Sequence, residues 1–202
     1  MNTIHNHRRS IRTALAVLAV AALPAAAVAV PTAFANRTTN TTASQTATTT
    51  SCPTGWGSLR EANSRFTAAA VTNVRTGRHA CFDRIVIDLA GKPTGYDVSY
   101  VSNVYQDGSG FLVPLRGGAK IQLIVHGPAY DDAGRSTYNP ANHRELTNVT
   151  GYRTLRQLAS AGSFEGQTTI GVGVRARLPF RVFTLTGPGS GSRVVVDVAH
   201  TW

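Results

Sequence analysis

Cysteine pairs at metal-ligand spacing are missing from this chain. It has two cysteines in 202 residues, Cys52 and Cys81, too few and too far apart for a cysteine-built zinc site. No H-E-x-x-H run, no G-x-S-x-G turn and no phosphate-cradling glycine loop occurs. The common signatures of zinc hydrolases, serine hydrolases and nucleotide-binding enzymes are therefore absent. Lysine is nearly absent too: Lys92 and Lys120 are the only two among 20 basic residues. The arginines are scattered and form no basic block, which argues against a dedicated nucleic-acid module. After Val30 no apolar run is long enough to cross a bilayer.

What is present begins with an export signal. Arg8, Arg9 and Arg12 precede an apolar run from Ala14 to Val30, and Thr32-Ala33-Phe34-Ala35 supplies small residues for cleavage after Ala35. Pro24 and Pro31 disfavour the alternative of an uncleaved anchor, and no cysteine follows closely enough for a lipid anchor. The expected organisation is a signal peptide over 1–35, a Thr-rich disordered tether over 36–50 and one folded domain over 51–202. Cleavage removes three arginines, so the 20 bases fall to 17 against 10 acids, a formal charge of +7. Such a charge favours loose association with anionic envelope polymers. Two cysteines in an exported chain suggest one disulfide, Cys52–Cys81, with two free thiols as the alternative. The bridge would close a loop of about 30 residues and stabilise by roughly 3.6 kcal/mol in the chain-entropy model.

The folded part reads as strands. In Arg84-Ile85-Val86-Ile87-Asp88-Leu89, Ile85, Ile87 and Leu89 share one face of an extended segment. Nearly the same word returns as Arg193-Val194-Val195-Val196-Asp197-Val198, which suggests two equivalent strands in a domain with approximate two-fold design. Further strands are expected over 66–74, 96–101, 111–113, 119–125, 164–176 and 180–185. Gly171 and Gly173 fall on one face of their strand, which points to a bend or a close neighbour. Residues 127–149 are polar and form a long surface loop. Tyr152, Leu155 and Leu158 make a narrow stripe at helical spacing, so 150–161 is expected to be the one helix, stopped by Gly162. The fold class is mainly β: a sandwich of about eight strands with one short helix.

The polar residues that stand out are His79, Asp83, Arg84, Glu165 and His200. A structural role accounts for them if Arg84 or Arg193 pairs with Asp88, Asp197 or Glu165 across neighbouring strands. A functional role makes them a polar groove, with Arg84 as a carboxylate clamp for a sugar- and carboxylate-rich ligand. A hydrolytic or metal-dependent enzyme built on a His/Asp/Glu set is a further alternative that no spacing supports.

Several stretches, taken in order, resemble the AMIN-like domain family of exported bacterial proteins. They are Val74-Arg75-Thr76-Gly77-Arg78-His79, Phe82-Asp83-Arg84-Ile85-Val86, Gly95-Tyr96, Phe164-Glu165-Gly166, Gly171-Val172-Gly173, Pro179-Phe180-Arg181-Val182 and the 193–198 word with His200. One departure is Ile87-Asp88-Leu89, where the family leads us to expect a Phe–Glu pair. The resemblance implies a symmetric β-sandwich that binds peptidoglycan or an associated anionic wall polymer without catalysis. No cofactor and no metal are expected, since no ligand spacing in the sequence supports one. The expected location is secreted or cell-wall associated. The competing reading is a protein-interaction module that holds an envelope enzyme.

Overall fold

A computed structural model describes residues 51, 52 and 55–202. The expected signal peptide and tether lie outside the described residues. The described chain is all β, in the order β1 (Glu61–Asn63), β2 (Ala70–Arg78), β3 (Phe82–Ala90), β4 (Tyr96–Val101), β5 (Val104–Tyr105), β6 (Leu112–Val113), β7 (Ala119–Val125), β8 (Leu155–Phe164), β9 (Gln167–Val174), β10 (Phe180–Thr186) and β11 (Ser192–Ala199). Five strands form one sheet in the order β1-β4-β7-β9-β8, four form a second in the order β10-β11-β3-β2, and β5 pairs with β6 alone. All pairings are antiparallel.

The sandwich follows from alternation. Ile85, Ile87 and Leu89 of β3 are buried in one core with Val194, Val196 and Val198 of β11, and with Val98, Ile121, Leu123 and Ile170 of the other sheet. Two tyrosines of β4 stitch the layers together. The Tyr96 hydroxyl donates to the Val182 carbonyl at 3.2 Å, and the Tyr100 hydroxyl to that of Leu178 at 2.8 Å. The two repeated words are adjacent and antiparallel: Arg84 stands opposite Asp197, Val86 opposite Val195 and Asp88 opposite Arg193. A local two-fold between Val86 and Val195 therefore carries one word onto the other. The expected disulfide is formed, Cys52–Cys81, with the Cα atoms 5.3 Å apart.

Two expectations fail on position or type. The segment expected to be helical is β8. Its strand pairing with β9 is interrupted between Leu155 and Gln157 and again between Ser160 and Ser163. Each irregularity resets the inside–outside alternation, so Leu155 and Leu158, three apart, are both fully buried on a strand. That spacing imitates a helical stripe. Gly162, expected as the helix stop, sits in the second irregularity at φ 105°. The first long strand also starts later than expected, at Ala70.

The glycine pair in β9 has a close neighbour, as its placement suggested. A Cβ on Gly173 would stand 1.9 Å from the Arg116 carbonyl oxygen, because the chain leaving β6 lies across that strand. A Cβ on Gly171 would meet only the Leu115 and Val104 side chains, at 2.9 and 3.3 Å. We expect Gly173→Ala to destabilise by on the order of 3 kcal/mol, since backbone cannot rotate aside. Gly171→Ala should cost less, because Leu115 can shift. Thermal melts of the two variants check this: a fall of roughly 6–12 °C is expected for the first, and equal melting points would contradict the crossing.

Candidate functional site

The outer face of the four-stranded sheet carries an organised cluster. In an antiparallel sheet, residues directly opposite one another on one face are close enough to pair. The register places Arg84 of β3, Asp197 of β11 and Arg181 of β10 in one row across three strands. The Asp197 side chain is wholly buried between the two arginines, whose own side chains are 25% and 40% exposed. Arg84 donates from Nε and Nη2 to the two Asp197 oxygens at 2.6 and 2.8 Å. Arg181 donates from Nε to Oδ2 at 2.9 Å. One carboxylate thus holds two guanidinium groups, and the row keeps a net charge of +1. Hydrogen bonding to Asp197 holds the Arg84 guanidinium above its ordinary range, against the opposing effect of burial.

Aromatic rings frame the row. The Arg84 guanidinium carbon lies 5.2 Å from the Phe82 ring centre and 5.5 Å from that of Phe183. The Arg181 carbon lies 4.5 Å from Trp56 and 5.1 Å from Phe183. His79 stacks on Phe82 at 4.5 Å, and Trp56 tilts against Phe82 at 5.6 Å. These distances fall within the range of favourable cation–π contact. Flat rings and a shared carboxylate fix both guanidinium planes. Their Nη1 groups make no hydrogen bond among the described residues and remain available as donors.

The five residues singled out in the sequence do not converge. Arg84 and His79 lie on this face, and Arg84 pairs with Asp197, one of the partners expected for it. Asp83 and His200 point the other way and are buried. Asp83 Oδ2 accepts from the backbone N–H groups of Thr154 and Leu155 at 2.6 and 3.1 Å. Its Oδ1 lies 3.1 Å from His200 Nε2, while His200 Nδ1 lies 3.2 Å from the Ala80 carbonyl oxygen. Both ring nitrogens thus face oxygen atoms. The pair ties the start of β3, the lead into β8 and the C-terminal segment into one node. Glu165 is elsewhere: with Gly166 it forms the two-residue turn between β8 and β9, both at positive φ, 49° and 78°. A His/Asp/Glu set is not assembled. Among the described residues, no three His, Cys, Asp or Glu side chains gather as a metal-binding group.

Sequence reasoning missed Arg181, Phe183 and Trp56 as members of the cluster. Trp56 packs on the outer face against Arg181 and Phe82. The signal for the other two was the alternation Phe180-Arg181-Val182-Phe183, which buries Phe180 and Val182 and turns Arg181 and Phe183 outward.

The model of the AMIN-like domain matches residues 69–200. The chain belongs to the AMIN-like domain family. That match covers most of the sandwich, from just before β2 through His200, and includes every residue of the Arg84–Asp197–Arg181 row. No curated protein and no solved structure matches. The Cys52–Cys81 bridge fits an exported member of the family.

Proposed function

We propose that this AMIN-like domain is an exported, non-catalytic cell-envelope module that binds peptidoglycan or an associated anionic wall polymer through the outer face of its four-stranded sheet. One observation carries the reading. Two arginines are held flat by a single buried carboxylate and framed by rings on an open face. Guanidinium groups with free Nη1 donors suit the carboxylates or phosphates of a wall polymer, and Trp56, Phe82 and His79 offer flat surfaces to a sugar ring. Arg84 and His79, two of the five candidates the sequence offers, would be contact residues here, with Arg181 and Trp56 beside them. Asp83 and His200 support the framework, and Glu165 would belong to a separate contact.

Purified sacculi incubated with the protein across a salt series test this. Saturable retention should persist at ~0.5 M salt, where attraction between exposed charges is largely screened. The double variant Arg84→Ala/Arg181→Ala should be retained at least tenfold less. Retention that vanishes by moderate salt, or that ignores the double variant, would defeat the proposal.

A second reading has its own observation. The β5–β6 hairpin leaves Tyr105, Phe111 and Leu112 exposed, at 51%, 70% and 53%. Phe164, 52% exposed, lies over Gly108 of the same hairpin. Apolar groups gathered at two hairpin tips suit a protein partner such as an envelope enzyme. Site-directed cross-linking from Phe111 in cells would show a discrete partner if this reading holds.

A further inference from the structure

The outer face of the four-stranded sheet extends past the Arg84–Asp197–Arg181 row. The local two-fold between Val86 and Val195 places a second charged row four residues further along β3. There Asn73 of β2, Asp88 of β3, Arg193 of β11 and Leu185 of β10 stand in line across the sheet. Arg193 takes the place of Arg84, and Asp88 that of Asp197. Asn73 stands where Arg181 stands, and Arg75, two residues along β2, supplies the second guanidinium. It donates from Nε to Asp88 Oδ2 at 2.8 Å and from Nη2 to Oδ1 at 3.0 Å. Arg84 grips Asp197 in the same two-pronged way. Asn73 Nδ2 adds a bond to Asp88 Oδ2 at 3.2 Å. Each row thus holds two arginines and one aspartate, and each keeps a net charge of +1.

The second row has unused donors. Arg193 stands directly opposite Asp88 but is not paired with it. It makes one hydrogen bond among the described residues, from Nη2 to the Thr186 carbonyl at 3.2 Å, and its Nε is buried without a partner. Buried polar groups are nearly always paired, so Arg193 is a cation short of acceptors. The Arg75 side chain is half exposed, and its Nη1 makes no hydrogen bond among the described residues. Between the rows lie Val86 and Val195, both buried, with Phe183 beside Val195 in the register. A strand advances about 3.4 Å per residue, so four residues set the rows about 13–14 Å apart. A single carboxylate or phosphate cannot touch both.

We infer that one linear polyanion lies along β3 and β11 and bridges the two rows, with one anionic group on Arg84 and Arg181, another on Arg75 and Arg193, and an uncharged stretch over Phe183 between them. This rests on the outer-face reading and adds to it a second contact and a minimum ligand length. Carboxylates and phosphates share the chemistry that a guanidinium recognises. Once one anionic group is seated, the second meets its row at a high effective concentration, so the two contacts together hold a strand far longer than either alone.

The test measures retention of the purified protein on sacculi, intact and acid-stripped of attached phosphate polymers, and its affinity for soluble sacculus fragments graded by length. Arg75→Ala/Arg193→Ala should be retained at least fivefold less on whichever preparation holds the parent. Retention that survives stripping assigns the anions to carboxylates, and retention lost with it assigns them to phosphates; the bridge stands in either case if the variants fall as expected. Leu185→Glu sets a carboxylate opposite Arg193 and leaves the Arg75–Asp88 pair in place, so it should weaken retention to a similar degree. Arg144→Ala/Arg153→Ala removes two exposed charges outside this face and should stay within twofold of the parent. The parent's affinity should climb at least tenfold once fragments are long enough to span both rows, and the climb should vanish in the Arg75/Arg193 variant. A second-row variant that behaves like the charge control, or an affinity indifferent to fragment length, overturns the bridge. If Arg84→Ala/Arg181→Ala still loses retention in that case, the outer-face reading stands without it; a parent that is not retained at all overturns both.

Discussion

Asp83→Ala should lower stability by about 3–5 kcal/mol, because it takes the shared acceptor away from several buried donors. The residue is fully buried, and three groups depend on it: the Thr154 and Leu155 N–H groups and His200 Nε2. Alanine leaves all three without an acceptor and without water, and each orphaned buried donor costs about 1–3 kcal/mol. The groups share one space and can partly readjust, so the sum overstates the loss. Asp83→Asn keeps one acceptor oxygen and should cost less, about 1–3 kcal/mol. His200→Ala removes one arm and leaves both backbone N–H groups satisfied, so it should be milder than Asp83→Ala. The double variant should fall short of the two single effects added together, because the same interaction is removed twice. Denaturant melts of the four proteins measure this. If Asp83→Ala instead melts like the parent while losing retention on sacculi, the buried node is a ligand site and the structural account is wrong.

The asymmetry between Asp83 and Arg84 explains why the fold was more legible in the sequence than the site. Period-two alternation fixes which face a strand residue occupies, so Ile85, Ile87 and Leu89 announced the core. The same alternation puts Asp83 inward and Arg84 outward, and a search for polar clusters grouped them only because they are adjacent. The repeated word suggested two equivalent strands, and it left Asp197 as one of several partners expected for Arg84. It could not show that Arg181, from a strand outside the repeat, would claim the other side of the same carboxylate. Nor could it show that Asp88 would take Arg75, with bonds of 2.8 and 3.0 Å, in place of Arg193 directly opposite. β8 was misread because its irregular pairing with β9 sets Leu155 and Leu158 three apart, and no residue type marks where pairing slips.

Asp197→Ala should separate specific recognition from simple charge attraction, because it moves the two in opposite directions. The substitution removes one negative charge and leaves Arg84 and Arg181 facing each other. The side chains are 25% and 40% exposed, so both guanidiniums can swing toward water. The stability loss should therefore be about 2–3 kcal/mol, below the range for a fully buried pair. The remaining repulsion is between like charges that solvent can reach, so added salt should raise the melting temperature of the variant relative to the parent. Arg181→Leu in the Asp197→Ala background should recover part of the loss by removing one of the two charges. Retention on sacculi gives the sharper contrast. If the protein adheres to the wall only because it is basic, a variant with one more net positive charge must adhere at least as well. If the arginines act through planes fixed by Asp197 and the flanking rings, retention should drop several-fold despite the added charge. Tighter binding by Asp197→Ala would mean that the geometry of the row has no part in recognition.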